Sequence, residues 1–156
     1  MPTLPPCLRG LCLRVLLICL PALIATSCQS GPYPATLLAQ GGTDLNKTFN
    51  NEPSAVNIRI LQMKKRDVFD SATDAELKSA DLKDKPWVTS YSEAKVRVGK
   101  AREIEVMVQP EVLFLGIVGL FNEKDGDWRT VIDIDTLSSD KLVFDKYALS
   151  VQPREE

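Results

Sequence analysis

Histidine is absent from the 156-residue chain, which narrows the chemistry open to the protein. Histidine is the commonest general base and metal ligand in proteins, and it completes most serine- and cysteine-based nucleophilic sites. Neither standard glycine-rich phosphate loop occurs, and no pair of cysteines has the spacing of a zinc site. The sequence therefore disfavours conventional hydrolase chemistry, and we expect no enzymatic activity and no cofactor.

Cysteine is confined to the beginning of the chain. The four cysteines are Cys7, Cys12, Cys19 and Cys28. The predicted folded body therefore has no disulfide, and its lack of thiols is compatible with an oxidising compartment. The net charge of −2 is slightly acidic, so we expect no nucleic acid among the partners.

The first 28 residues have the order of a secretory signal followed by its cleavage site. Arg9 and Arg14 precede an uncharged apolar run over residues 15–24, and small residues lead from there to Cys28. The run is about ten residues long, whereas a membrane-spanning helix needs roughly 20. We therefore predict that residues 1–27 are a signal peptide, removed on export, rather than a retained membrane span.

The junction at residues 25–28, Ala-Thr-Ser-Cys, resembles the lipobox of bacterial lipoproteins. In a lipobox the cysteine thiol receives a diacylglycerol and becomes the acylated first residue of the mature protein. The resemblance makes Cys28 the predicted lipidation site, and residues 28–34, which are rich in proline and other turn formers, the predicted tether. The alternative is an ordinary signal peptide in which Cys28 occurs by chance.

Residues 35–156 are predicted to form one all-β domain. Apolar residues alternate along short segments that are bounded by turn formers. The predicted strands are residues 35–40, 55–61, 93–98, 102–108, 112–121, 128–134, 142–144 and 147–151. Seven or eight such strands without alternating βα units predict an antiparallel β-sandwich of the transthyretin or immunoglobulin type.

Three parts of this domain carry more specific expectations. Residues 93–98 and 102–108 flank a Gly-Lys pair and predict a hairpin. Residues 112–121 are apolar apart from two glycines, so we expect a central strand covered on both faces. Residues 67–82 have a helical period and a capping box that begins at Thr73, which predicts one or two short helices lying over a sheet.

Trp128 begins the predicted strand over residues 128–134. Alternation predicts that it shares a face with Thr130, Ile132 and Ile134. A large aromatic residue at this position, beside an apolar run, is expected in the core. Exposure on a binding surface is the alternative.

Two groups of polar residues have the composition of a calcium site without its spacing. Asn122, Asp125 and Asp127 surround a predicted turn, and Asp133 and Asp135 lie at the end of a predicted strand. Aspartate and asparagine in such places usually stabilise the turn itself. We therefore expect no metal site.

The polar segment between the first two predicted strands is the best candidate for a contact with another protein. Its residues are Asn46, Lys47, Thr48, Phe49, Asn50, Asn51 and Glu52. Phe49 has no periodic reason to be buried, and an aromatic anchor within a polar rim is typical of interfaces. The pattern leaves open the alternative that Phe49 folds back onto the sandwich.

The order of these features resembles the TssJ family, also called VasD or SciN, the outer-membrane lipoproteins of type VI secretion systems. The matching segments, behind the lipobox, are Asp-Leu-Asn at 44–46, Pro-Ser-Ala-Val-Asn-Ile-Arg-Ile-Leu-Gln-Met at 53–63, the helical residues 69–77, and Leu-Gly-Ile-Val-Gly-Leu-Phe at 115–121 leading to Trp-Arg at 128–129. The resemblance covers nearly the whole mature domain, from about residue 35 to 151.

The resemblance implies a β-sandwich with a small helical insertion, no enzymatic activity, and a role in tethering the trans-envelope complex to the outer membrane. In that family the loop between the first two strands contacts the periplasmic C-terminal domain of the inner-membrane protein TssM, and here this loop is residues 46–54. Gln29 and Ser30 lack the aspartate that retains lipoproteins at the inner membrane, which resembles sorting to the outer membrane, facing the periplasm. The alternative, a lipoprotein that binds sugar or peptidoglycan, predicts a cluster of exposed aromatic side chains on one face.

Overall fold

The computed structural model describes residues 31–123 and 125–154. The predicted signal peptide and Cys28 therefore lie outside the described residues. Both hydrophobic clusters of the described part are built from residues between Ala35 and Leu149. The described part of the chain thus has a hydrophobic core of its own.

Eight strands and four short helical segments make up the described part of the chain. In chain order they are β1 (Tyr33–Gly41), β2 (Val56–Met63), α1 (Asp67–Ser71), α2 (Asp74–Lys78), a first 3-10 helix (Ala80–Asp84), β3 (Ser90–Val96), β4 (Ala101–Val108), β5 (Phe114–Leu120), β6 (Arg129–Asp133), a second 3-10 helix (Ile134–Thr136), β7 (Asp140–Asp145) and β8 (Ala148–Pro153). The predominance of strands and the two short helices confirm the all-β prediction with a helical insertion.

The strands form two four-stranded sheets, of order β4-β1-β7-β8 and β3-β2-β5-β6. The predicted β-sandwich is thereby confirmed. β1 pairs antiparallel with β4 but parallel with β7, a detail that alternation of side chains within a strand does not reveal. The other pairings are antiparallel.

The main core lies between the sheets, and β2 and β4 contribute β-branched residues to it at alternate positions. β2 contributes Val56, Ile58 and Ile60, and β4 contributes Ile104, Val106 and Val108. Both sets are the apolar faces that the sequence pattern predicts. The intervening side chains of β4 are exposed, so its register is fixed because a shift by one residue would bring carboxylates into the core.

The predicted hairpin between β3 and β4 is wrong, because the two strands belong to different sheets. Residues 97–100 carry the chain from one sheet to the other. The N–H of Gly41 donates to the carbonyl of Lys100 at 3.0 Å, and the N–H of Gly99 donates to the carbonyl of Gly42 at 3.1 Å. A Cβ on Gly41 would overlap the carbonyl oxygen of Arg97, so glycine is what allows this close crossing.

A second apolar cluster lies on the outer face of the β3-β2-β5-β6 sheet, under the helical segment. Phe69, Leu77 and Leu82 of that segment are buried with Leu61 and Val118 of the sheet. The prediction that the helices lie over a sheet is confirmed. β5 lies inside this sheet, with every position from its second to its sixth buried, as expected of a strand covered on both faces.

The prediction that Trp128 shares a face with Ile132 is wrong. Ile132 belongs to the core between the sheets, whereas Trp128 packs with Val131 against the outer cluster. The strand begins only at Arg129, so strand alternation does not govern Trp128. Its ring lies 4.5 Å from Nζ of Lys78, measured to the ring centroid, which leaves it at the edge of the helical insertion.

Two arginines of the second sheet hold the C-terminal ends of the short helices. Arg129 Nη1 donates to the carbonyl of Ala72 at 2.7 Å, just beyond α1. Arg59 Nη1 donates to the carbonyls of Leu77 and Ser79 at 3.0 and 2.9 Å, at the end of α2. Carbonyls at a helix end lack partners within the helix and favour a cation, so these contacts fix the insertion to the sheet.

The sandwich has two ends that differ in what they present. At the end where β1 begins, Tyr33 pairs with Val108; we call this the tether end. At the end where β1 stops lie residues 42–55 and the crossing at residues 97–100; we call this the loop end. Nine residues in β1 separate the two ends, or about 30 Å at the rise of a strand.

Candidate protein-binding loop

The β1–β2 connection is fixed at its base by the core. Leu45 is fully buried among the residues between the sheets. Its carbonyl accepts a hydrogen bond from the N–H of Ser54 at 2.9 Å. The chain therefore leaves and re-enters the sandwich at one place, and residues 46–53 project from it as a closed loop.

Asn46 organises the base of this loop. Its φ of +44° lies in the left-handed region, which asparagine tolerates better than most residues. The side-chain amide donates to the carbonyl of Ala55 at 2.9 Å and to Oγ of Ser54 at 3.1 Å, while Oδ1 accepts the N–H of Asn122 at 2.7 Å. Only 4% of Asn46 is exposed, so it positions the loop and does not itself offer a side chain to a partner.

The tip of the loop is a closed turn. The N–H of Thr48 donates to the carbonyl of Glu52 at 2.9 Å, and the N–H of Asn51 donates to the carbonyl of Thr48 at 2.8 Å. Oγ1 of Thr48 accepts the N–H of Glu52 at 3.3 Å, and Asn51 has a φ of +61°. The tip is thus preorganised, which lowers the entropy lost when it binds.

Phe49 projects from this turn with 103% of its surface exposed. Of the alternatives left open by the sequence, the structure shows the one in which Phe49 does not fold back onto the sandwich. Asn50, Asn51 and Glu52 are exposed beside it. Lys47, like Thr48, is partly buried; its Nζ lies 3.4 Å from Oδ1 of Asp44.

Turns from elsewhere in the chain support the loop at the same end of the sandwich. The N–H of Asn46 donates to the carbonyl of Lys146 at 2.5 Å, and Nζ of Lys146 lies 3.3 Å from a carboxylate oxygen of Asp125. Burial, and then the nearby carboxylate of Glu123, raises the pKa of the Tyr147 hydroxyl. Lys47 and Lys146 each pair with an aspartate at this end, and Phe49 is the large apolar side chain that this loop exposes.

Sequence analysis missed the hydrogen bonds that hold the base of the loop, which come from Asn122 outside the loop and from Ser54 at its end. Asn122 donates from Nδ2 to the carbonyls of Asn46 and Lys47 at 3.2 and 3.1 Å, although it lies 76 residues from Asn46 in the chain. Ser54 donates from its hydroxyl to the carbonyl of Asn46 at 2.6 Å. No local pattern signals a contact across so many residues.

Replacing Asn46 by alanine should lower the free energy of unfolding by about 2–3 kcal/mol. The change removes three side-chain hydrogen bonds, each worth about 1 kcal/mol net, and places alanine at a positive φ. Urea unfolding measures the effect. Asn50→Ala, the same substitution at an exposed position of the loop, should change stability by no more than about 0.5 kcal/mol; equal effects at the two sites would contradict the role given to Asn46.

Features of other functional classes are missing from the described part of the chain. Among residues 31–123 and 125–154 there is no group of three or more side chains that could hold a metal ion. The same residues include no helix with the length and hydropathy needed to cross a bilayer.

Comparison with protein families matches residues 34–153 to the type VI secretion lipoproteins, a family described by the names SciN, VasD, EvfM and TssJ. The match begins just inside β1 and ends at the last residue of β8. It therefore spans the whole sandwich, including the helical insertion and the loop with Phe49. None of the curated proteins matches the chain.

Solved structures with the same fold have low sequence identity to this chain. TssJ1 from Pseudomonas aeruginosa, a type VI lipoprotein, has a TM-score of 0.65 and 21% identity over 80% of this chain and 98% of its own. A chain from the structure described as the TssM C-terminal domain (869-1107) from EAEC has a TM-score of 0.66 and 20% identity over 78% and 98%. A chain from a type VI membrane complex has a TM-score of 0.67 and 20% identity over 77% and 98%.

Proposed function

The chain belongs to the type VI secretion lipoprotein family, and on that basis we propose that it is a structural tether of the secretion membrane complex. Acyl chains on Cys28 hold it to the outer membrane, facing the periplasm. The loop at residues 46–52 binds the periplasmic domain of a TssM-like inner-membrane protein. In this proposal the protein joins two envelope layers and catalyses no reaction.

The observation that carries the proposal is Phe49, a fully exposed aromatic ring on a loop whose base is buried. An exposed apolar side chain of this size gains free energy when a partner covers it. The closed turn beneath it reduces the ordering cost of binding. Exposed polar residues surround the ring, as in the rim of a protein interface.

One of the similar structures supports a TssM-type partner. The match covers 78% of this chain and 98% of the matched chain. The matched chain is therefore shorter than 156 residues. The range 869-1107 in the description of that structure is longer than this. A TssM domain is thus named in the description of a structure that contains a chain of this fold.

The alternative of a sugar- or peptidoglycan-binding lipoprotein needs several aromatic side chains on one face. In the described ranges the large exposed aromatic residues are Tyr33 and Phe49, which lie at opposite ends of the sandwich. Trp87 and Trp128 are partly buried against the outer cluster. No such platform forms from these residues, so the tether is the better supported function.

Replacing Cys28 by alanine should abolish incorporation of radiolabelled palmitate and release the protein from the membrane fraction. Each buried methylene of an acyl chain contributes about 0.8 kcal/mol to membrane attachment, and no other anchor of that strength is proposed. Cys19→Ala, a matched change inside the predicted signal peptide, should leave labelling intact. Label that persists in Cys28→Ala would reject the anchor.

Binding to a TssM-type periplasmic domain tests the other half of the tether. Residues 31–156 should co-purify with that domain, since this unit has its own core. A variant in which residues 47–52 are replaced by glycine and serine should not co-purify, although Leu45 and Asn46 still close the base of the loop. Undiminished binding of this variant would reject the loop assignment, while retention on peptidoglycan sacculi instead would favour the rival function.

A further inference from the structure

The tether end carries exposed apolar side chains that the proposed function does not use. Tyr33 is 42% exposed, Met107 48% and Leu113 58%. Tyr33 and Met107 lie close to the points where β1 begins and β4 ends, and Leu113 precedes β5. Of these three, Tyr33 and Leu113 line the same depression, so together they offer apolar surface that a partner can cover.

These side chains adjoin a second depression, which two lysines and one glutamate line. Tyr33, Pro110 and Leu113 line one open depression, and Lys64, Lys65 and Trp87 line the next. We call these six residues the tether-end surface. Its two halves are joined by the hydrogen bond from the N–H of Leu113 to the carbonyl of Met63, at 3.0 Å.

The positive charge of the tether-end surface comes from consecutive exposed residues that follow β2. Nζ of Lys64 lies 3.7 Å from a carboxylate oxygen of Glu111, a contact in which both side chains are about half exposed. Lys65 is exposed beside the partly buried ring of Trp87. Asp133 and Asp135 line the opposite rim of the Tyr33 depression, so the positive charge is confined to the lysine side.

The position of the predicted tether indicates what this surface contacts. Cys28 precedes Tyr33 by five residues, which can span at most about 18 Å when fully extended. An acylated Cys28 would therefore keep the tether end close to the lipid headgroups, at a high effective concentration. Lysines with apolar stems, together with tyrosine and tryptophan, suit the boundary between water and hydrocarbon.

We propose that the tether-end surface makes a second, non-covalent contact with the membrane, binding an anionic phospholipid bilayer. Leu113 and Tyr33 enter the headgroup region, and Lys64 and Lys65 approach the lipid phosphates. The inference rests on the proposed function for the position of the membrane. Its result is an upright sandwich, with β1 along the membrane normal and Phe49 directed into the periplasm.

Vesicle sedimentation with residues 31–156, which lack Cys28 and contain the whole core, tests the contact without acylation. The domain should bind vesicles of phosphatidylcholine with phosphatidylglycerol more strongly than phosphatidylcholine alone, and added salt should weaken the binding. Each lysine near an anionic surface contributes about fivefold, so Lys64→Gln with Lys65→Gln should weaken binding about 25-fold. Leu113→Ser should also weaken it.

A matched control removes the same charge from the other end of the sandwich. Lys95→Gln with Lys100→Gln changes two exposed lysines near the crossing at residues 97–100, and vesicle binding should stay as in the unaltered domain. Equal losses in the two double variants, or no preference for anionic vesicles, would overturn the proposal. Palmitate labelling and TssM binding do not depend on this surface, so its failure is distinguishable from failure of the proposed function.

Discussion

Replacing Phe49 by alanine should weaken binding to a TssM-like periplasmic domain by about 30-fold or more. An aromatic residue at the centre of an interface commonly contributes about 2 kcal/mol or more, which corresponds to that factor in Kd. Phe49 is fully exposed in the free domain, so its removal should leave the free energy of unfolding unchanged. Titration calorimetry with the TssM-like domain gives the Kd, and urea unfolding gives the stability.

Two controls separate a specific contact from a general loss of apolar surface. Phe49→Tyr keeps the ring and should retain most of the affinity. Leu113→Ser removes an exposed apolar side chain from the tether end and should leave the Kd for the TssM-like domain unaltered. An affinity that does not change in Phe49→Ala, or that falls equally in Leu113→Ser, would show that the loop is not the contact.

Replacing Phe69 by alanine should lower the free energy of unfolding by about 3–5 kcal/mol. Phe69 is 1% exposed and is the aromatic centre of the outer cluster. Its ring packs directly on the backbone of β5, since a Cβ on Gly116 would lie 2.7 Å from Cε2 of that ring. The guanidinium carbon of Arg129 lies 5.8 Å from the ring centroid. The substitution therefore opens a cavity under the helical insertion and also removes a contact between the insertion and Arg129.

A double-mutant cycle with Gly116→Ala checks the packing that this prediction assumes. In the unaltered domain the added methyl group should be destabilising, because it presses on the Phe69 ring and on the methyl group of Met63, 2.9 Å away. In Phe69→Ala much of that penalty should disappear, giving a coupling energy of about 1 kcal/mol or more. Additive effects would show that the ring does not rest on Gly116.

The strands of this fold were predictable because successive side chains in a strand point to opposite faces of the sheet. Val56, Ile58 and Ile60 face the core since one face of β2 meets the opposite sheet, and the same rule holds for β4. This alternation does not show which strands pair with each other. The hairpin of β3 with β4 was therefore predicted wrongly, and the parallel pairing of β1 with β7 was not foreseen. Both depend on where distant strands lie, which a local pattern does not encode.

The candidate loop was predictable in part for a similar reason. Phe49 stands out in the sequence because its neighbours are polar, and the structure shows it exposed. The role of Asn46 was not predictable, because it depends on a left-handed backbone and on Asn122, 76 residues away. The basic and apolar parts of the tether-end surface likewise come from separate connections, after β2 and after β4.

β1 occupies an interior position in its sheet, hydrogen-bonded to β4 on one side and to β7 on the other. Force applied between an anchored tether and a partner held at Phe49 would run along this strand. Its ladder to β4 extends over Tyr33–Gln40 and lies across that direction, so the hydrogen bonds share the load in shear rather than opening one after another. We expect a domain that acts as the proposed tether to withstand a load applied along this strand.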